Sequence, residues 1–177
     1  MNYSALTTFM SDDSLKKHLA HMKTKKLEHS IIEKSIPEIK GRSVREIFEM
    51  NLKRSVKTEI IERLQYIKSH ETFFASFVSA AAPCPRIKKF YSSEDSFCYE
   101  ILELARRHDT GFVYVFSDKH ARPTVKHSEG TPLVYINEIP RLAIDLYEHS
   151  FIFDYGFERE RYLRAAIAHI DLSRLFE

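Results

Sequence analysis

The sequence predicts an α+β fold: a long N-terminal helical hairpin, then a C-terminal unit of helices around a three-stranded antiparallel sheet. Two observations predict it. Apolar residues recur at helical spacing as far as about Val78, and beyond the AAAPCP break the pattern turns to short β-branched and aromatic runs such as GFVYVFS. With 177 residues, 44% apolar and 12% aromatic, the chain is long and apolar enough for a packed interior. On this reading residues 1–82 form the hairpin domain and residues 83–177 the α/β domain.

The first helix starts after Ser11, a suitable cap, with Asp12 and Asp13 at the positive end of the helix dipole, and Pro37 stops it. Leu15, His18, Leu19 and Met22 share one face, which turns His18 toward the core. A shorter helical piece, SVREIFEMNLKRS, follows Gly41. The second long helix is expected from about Thr58 to Val78, where Ile60, Leu64, Ile67, His70, Phe74 and Phe77 form one stripe. Ser92 and Ser93 are placed to cap a helix over EDSFCYEILELARR. Strands are expected at GFVYVFS, at ARPTVKH as a polar edge, and at PLVYIN, the last two joined by a turn at Ser128, Glu129 and Gly130. RLAIDLYEHSFIF is then an apolar run interrupted by Asp145, Glu148 and His149, and a helix is expected over ERERYLRAAIAHIDLSRL.

A net charge of +2 is too small to argue for nucleic acid, and no RNP motif, KH loop or zinc knuckle is present. Lys16, Lys17, Lys23, Lys25 and Lys26, followed by Lys53, Arg54 and Lys57, read as a solvated helix face or as a funnel for a small anion. There is no apolar run of the roughly eighteen residues that cross a bilayer. MNYSALTTFMSDDS lacks the basic region and apolar core of a signal peptide, so no membrane association and a cytoplasmic location are expected. Cys84 and Cys98 fall in no ligand spacing and read as reduced, structural thiols.

Asp145 and His149 are the sharpest local signal. A carboxylate and an imidazole in an apolar run cost several kcal/mol or so of desolvation unless they are paired or bound. A buried hydrogen-bond network would satisfy Asp145 and His149 by themselves. With His18 and His70 also facing inward, the set of three imidazoles and one carboxylate points to a metal site where the two halves meet. Imidazole suits zinc, copper and iron, carboxylate adds manganese, and the lack of cysteine ligands argues against structural zinc. Manganese or iron with one open position is the natural reading.

These residues carry a family resemblance. GTPLVYINEIPRLAIDLYEHSFIFDYGFERERYLRAAIAHID resembles the C-terminal signature of iron/manganese superoxide dismutases, whose D-x-W-E-H stands here as Asp145 to His149. SHETFFASF resembles the family's second-helix segment, with His70 at its ligand position. SDDSLKKHLAHMK resembles the first helix, with His18 as ligand, and HDTGFVYVF resembles the Gly-containing strand. Tyr155, Arg159 and Tyr162 fall where the family has tyrosine, arginine and tyrosine.

The resemblance implies one Mn or Fe per chain, held by His18, His70, Asp145 and His149, and superoxide as substrate. It implies a homodimer through Glu148 and His149, because Glu148 matches the glutamate that bonds a ligand histidine of the other subunit. The departures lie around the ligands. His108 stands where a glutamine often bonds the metal's solvent, and Lys26 where the family has its gate tyrosine. Met22 and Ile152 replace a histidine and tyrosine that pair across the interface, and Tyr147 replaces the signature tryptophan. His108, Tyr147 and Lys26 are therefore the candidate catalytic residues, although a shifted alignment brings Tyr66 to the pocket instead. His21 and His29 fit the ligand register less well than His18. An alternative is a dismutase-fold protein kept as a structural or binding subunit of a larger assembly. A third reading keeps the metal and changes the reaction, with His108 as acid or base.

Overall fold

The first long helix, α1 (Asp12–Ser35), begins where Ser11 accepts a hydrogen bond from the Ser14 amide at 3.2 Å. It ends just before Pro37, which cannot continue a helix. The computed structural model describes residues 3–129 and 134–177. A short helix, α2 (Val44–Glu49), is set by a reciprocal cap: Glu46 N donates to Ser43 Oγ at 3.2 Å and Ser43 N to Glu46 Oε2 at 2.7 Å. The second long helix, α3 (Arg54–Ala75), starts four residues earlier than the stripe alone suggested. Contacts of His18 with His70 and of Glu28 with Arg63 show that α1 and α3 run antiparallel, the expected hairpin.

Helix α4 (Glu94–Arg106) starts at a Ser93 cap and buries Phe97, Ile101, Leu102 and Ala105. Three strands follow, β1 (Phe112–Ser117), β2 (Pro123–Ser128) and β3 (Leu142–Asp145), in the order β2-β1-β3 with both pairings antiparallel. The central strand is buried along almost its whole length, whereas β2 is an edge with Thr124 and Lys126 exposed. Gly111 leads into β1 with φ 89°, and a Cβ there would lie 2.6 Å from the Ser128 carbonyl oxygen. Only glycine tolerates both conditions.

The third strand differs from the expected one. Of PLVYIN, Pro132 and Leu133 lie outside the described residues. Val134 bridges to Glu138, and Tyr135 to Asn137 form a turn in which Tyr135 has φ 61°. The sheet is completed by Leu142–Asp145 from the following apolar run, buried on both faces and paired with β1 so that Asp145 stands opposite Phe112. A strand covered on both sides shows no alternation, which is why periodicity missed it. The rest of that run becomes a 3-10 turn (Glu148–Ser150) and the one-turn helix α5 (Ile152–Tyr155).

The last helix also ends earlier than expected. Helix α6 (Arg159–Ala168) stops because the backbone turns to bond the segment after α3, with Val78 N donating to His169 O at 2.9 Å and Asp171 N to Ser76 O at 2.8 Å. A 3-10 turn (Leu172–Phe176) follows. One core runs from Leu6 to Leu175 and joins the N-terminal half of α1 and the C-terminal half of α3 to the sheet, α4 and α6. A smaller core of Ile39, Val44, Ile47, Ile60, Ile61, Leu64 and Ile136 fills the far end of the hairpin. Among the described residues, no helix is long and apolar enough to cross a membrane.

Candidate metal centre

His18 comes from α1, His70 from α3, Asp145 from the last residue of β3 and His149 from the 3-10 turn after it. The sheet pairing and the helical hairpin therefore bring together residues far apart in sequence. Their ligand atoms all lie within 4.8 Å of one another. Asp145 Oδ2 is 3.2 Å from His18 Nε2, 3.4 Å from His70 Nε2 and 3.2 Å from His149 Nε2. His70 Nε2 and His149 Nε2 are 3.2 Å apart.

The orientations decide what such a set is for. His70 Nδ1 lies 2.9 Å from the carbonyl oxygen of Tyr66, one turn earlier in α3. A carbonyl only accepts, so Nδ1 carries the proton and Nε2 turns its lone pair inward. That lone pair faces a carboxylate oxygen, and two acceptors at this separation repel unless a cation lies between them. Asp145 Oδ2 and both nitrogens of His18 are buried without a hydrogen-bond partner among the described residues, although His18 Nε2 is within reach of Oδ2. The two atoms converge on a common point rather than on each other. A metal with nitrogen and oxygen ligands at about 2.1 Å sets neighbouring ligand atoms roughly 3.0–3.6 Å apart. The four separations above fall in or near that range, while the widest, up to 4.8 Å, closes onto one ion with a small inward turn of a side chain.

Electrostatics agrees with this. Burial pushes the His70 imidazole down to about 4, against the opposing pull of Asp145, so it is neutral and ready to coordinate near pH 7. Burial alone would raise Asp145, yet His149, His18 and His70 together hold its carboxyl well below the usual carboxylate range. Asp145 Oδ1 accepts from the Tyr147 amide at 2.9 Å, leaving Oδ2 free to point inward. The Tyr162 hydroxyl, fully buried, donates to the Asp145 carbonyl oxygen at 2.8 Å and fixes the end of β3.

Aromatic rings wall the cluster. His18 packs on Phe73 and Phe74, His70 on Phe112 and Tyr66, and the Tyr147 ring lies nearly parallel to His149 with centroids 5.7 Å apart. The side chains of His18, His70 and Asp145 are 0% exposed and that of His149 is 28% exposed, so any approach is over His149. A cavity of about 340 Å³ lies outside Phe112 and Tyr147, and Tyr66, Tyr114, Glu62 and Glu129 also line it. Burial raises the Tyr66 and Tyr147 phenols above their ordinary range, which keeps both protonated.

The other candidates fall in different places. Tyr147 is in the wall of the site, as described. Lys26 is tied to Glu71 by an ion pair of 2.8 Å at the surface of the hairpin. His108 stacks on His127 with centroids 3.6 Å apart, beside the β2 edge, and its ring contacts none of the four ligands. Arg159 donates to the carbonyl oxygens of Ala105 and His108, so it caps the C-terminus of α4 instead of touching the ligands. Glu148 is exposed beside His149, and Met22 is buried in the core while Ile152 is half-buried on α5. His29 pairs with Glu33 away from the cluster. His21 is the imidazole that the ligand register undervalued: its ring lies 5.1 Å from that of His149 and 5.8 Å from that of Tyr66. Its position three residues after His18 was the available signal, since i and i+3 share a helix face. Cys84 and Cys98 are free thiols.

The hairpin and the three-stranded sheet close on three imidazoles and a carboxylate, a group whose residue types suit a metal ion. Residues 64–176, more than half of the chain, match the family described as iron/manganese superoxide dismutases, C-terminal domain. The chain is also similar to a superoxide dismutase, Mn/Fe, of Rickettsia prowazekii (strain Madrid E), at 26% identity over 141 residues, 75% of this chain and 66% of that protein. The chain thus spans just under two thirds of that relative's length. It belongs to the iron/manganese superoxide dismutase family, as a divergent member.

Proposed function

We propose that the chain dismutates superoxide at one Mn or Fe ion held by His18, His70, Asp145 and His149. The observation that carries this reading is the convergence of four ligand atoms, two of them buried without a hydrogen-bond partner, on one point. When bound, the ion supplies the one-electron oxidation and reduction that turn two superoxide ions and two protons into dioxygen and hydrogen peroxide. The protein's part is to orient and to exclude. The Tyr66 carbonyl fixes the His70 tautomer, the Tyr147 amide and Tyr162 hydroxyl fix Asp145, and Phe73, Phe74, Phe112 and Tyr147 keep bulk water out. His21 stands beside His149, with Tyr66 packed on His21 and His70, on the approach for a small anion.

The same reading includes a homodimer through Glu148 and His149. Its support is the exposure of Phe153 (58%) and Phe157 (99%) on the segment that follows His149. Free Cys84 and Cys98 suit a reducing cytoplasmic setting. A second reading, a structural or binding subunit with the dismutase fold, is favoured by one observation: Lys26 and His108 are engaged elsewhere and contribute nothing to the ligand pocket.

Metal analysis joined to a superoxide assay separates the two. The enzyme reading expects about one Mn or Fe per chain after loading, with dismutation that vanishes in His149→Ala. Protein that takes up no metal and keeps its full stability would overturn it. Metal uptake with no dismutation would favour other metal chemistry.

A further inference from the structure

A cavity of about 470 Å³ opens on the face of α3 that carries Lys68, Thr72 and Ala75, not the face that carries His70. Its floor is apolar, formed by Val44, Ala75 and Pro140 with the Tyr135 ring as a wall. Volume and lining match sites for small molecules, which combine an apolar body with a few placed polar groups.

Two features at its rim mark it as built to hold something charged. Arg174 and Arg141 both line the opening, and neither pairs with a carboxylate among the described residues. The other cation at the rim is already used: Lys68 shares Glu71 with Lys26, at 3.0 and 2.8 Å. Exposed Glu177 is the remaining acid of the lining, and it makes no ion pair with either arginine. The Tyr135 wall adds an independent sign. Its backbone is left-handed at φ 61°, rare for a bulky residue, and it is held there by a 2.7 Å bond between its hydroxyl and Thr72 Oγ1.

We propose that this cavity binds a small organic acid, with its carboxylate on Arg141 and Arg174 and its apolar body over Val44, Ala75 and Tyr135. Guanidinium is the side chain suited to that headgroup, because its fork matches a carboxylate's two oxygens. The site is separate from the metal ligands, so its occupancy does not depend on metal loading.

The test uses three probes with one body and different heads: octanoate, octanol and octylammonium. They are titrated into metal-free and metal-loaded protein by calorimetry, with amide shifts followed at Thr72 and Ala75 in the metal-free protein. Octanoate should bind at least about tenfold more tightly than octanol, and octylammonium more weakly than either. Arg174→Gln and Arg141→Gln should each remove most of the preference for octanoate. Arg141 is exposed, so its variant keeps the test open should Arg174→Gln fold poorly. Equal binding of octanoate and octanol would overturn the proposal. So would a preference unchanged by Arg141→Gln, or shifts that leave Thr72 and Ala75 unmoved.

Discussion

At one end of the hairpin, α1 and α3 face each other through His18, His70, Phe73 and Phe74; at the other, α3 presents Ile60, Ile61 and Leu64 to Ile39 and Ile47 of the intervening segment. Both ends are buried to a similar degree. The difference is chemical. The aliphatic end satisfies itself on packing, by removing apolar surface from water. The histidine end, with Asp145 added from the sheet, buries polar groups, and on the proposed reading it is completed by a cation. One end of the hairpin thus stabilises the fold outright, and on the proposed reading the other does so through the ion it binds.

The largest expected break in this comparison comes from removing the shared carboxylate. Asp145→Ala should lower metal content from about one ion per chain to below a tenth, by elemental analysis. It should also abolish the metal-dependent rise in unfolding free energy, which is about 4 kcal/mol at a thousandfold excess over the dissociation constant. A variant that binds metal as the parent does would erase the distinction between the two ends. Next in size is Ile60→Ala, at the aliphatic end, which is 1% exposed in the parent. It should cost about 2–5 kcal/mol in denaturant unfolding through the cavity left behind. Folded protein should still take up the parent's metal complement. Loss of metal without unfolding would mean that the two ends are coupled through α3.

Much of this contrast was legible in the sequence, and the misses have a common cause. His18 and His70 sat on helix stripes whose period revealed their direction, and Asp145 and His149 stood out because charge is costly in an apolar run. What periodicity could not reveal was β3, since a strand buried on both faces has no alternation to detect, and the true third strand was hidden in the very run that carries the ligands. Register along the chain likewise could not say which polar residues surround the ligands. Lys26 and His108 matched family positions, yet an ion pair with Glu71 and a stack on His127 claim them. Tyr66 and His21 reach the site because α3 and α1 present those turns to it, a tertiary fact.

A titration sharpens the same contrast at intermediate size. In metal-free protein the His70 pKa lies near 4, lowered first of all by burial, against 6.5 for the unfolded chain. The folded state therefore binds fewer protons than the unfolded state between these values, and stability falls as pH drops through that window. The full difference is about 3 kcal/mol, present above about pH 6.5 and lost by about pH 4. Asp145 is held below the ordinary carboxylate range, so its own contribution is lost from about its unfolded value downward and overlaps only the acid end of this window. The measurement is denaturant unfolding across the window, comparing the parent with His70→Gln. Parallel curves would show that the imidazole is not held neutral by its surroundings.

The smallest expected effect asks whether the histidine end depends on groups that never touch the ion. The Tyr162 hydroxyl donates to the Asp145 carbonyl oxygen at 2.8 Å, and Ser150 Oγ reaches the same oxygen at 3.3 Å. In Tyr162→Phe the ring that packs on Phe151 remains and only the hydroxyl is lost, so the Asp145 carbonyl loses its short bond, and Ser150, whose one proton is nearer the Tyr147 carbonyl at 2.6 Å, replaces it poorly. Stability should fall by about 1 kcal/mol. Metal affinity, measured by competition with a chelator, should fall by about 10- to 100-fold, because the end of β3 no longer holds the Asp145 side chain at one angle. A purely structural role predicts the first change without the second. The same 1 kcal/mol removed at the aliphatic end, for instance by Ile61→Val, is the control: it should leave the chelator competition unchanged.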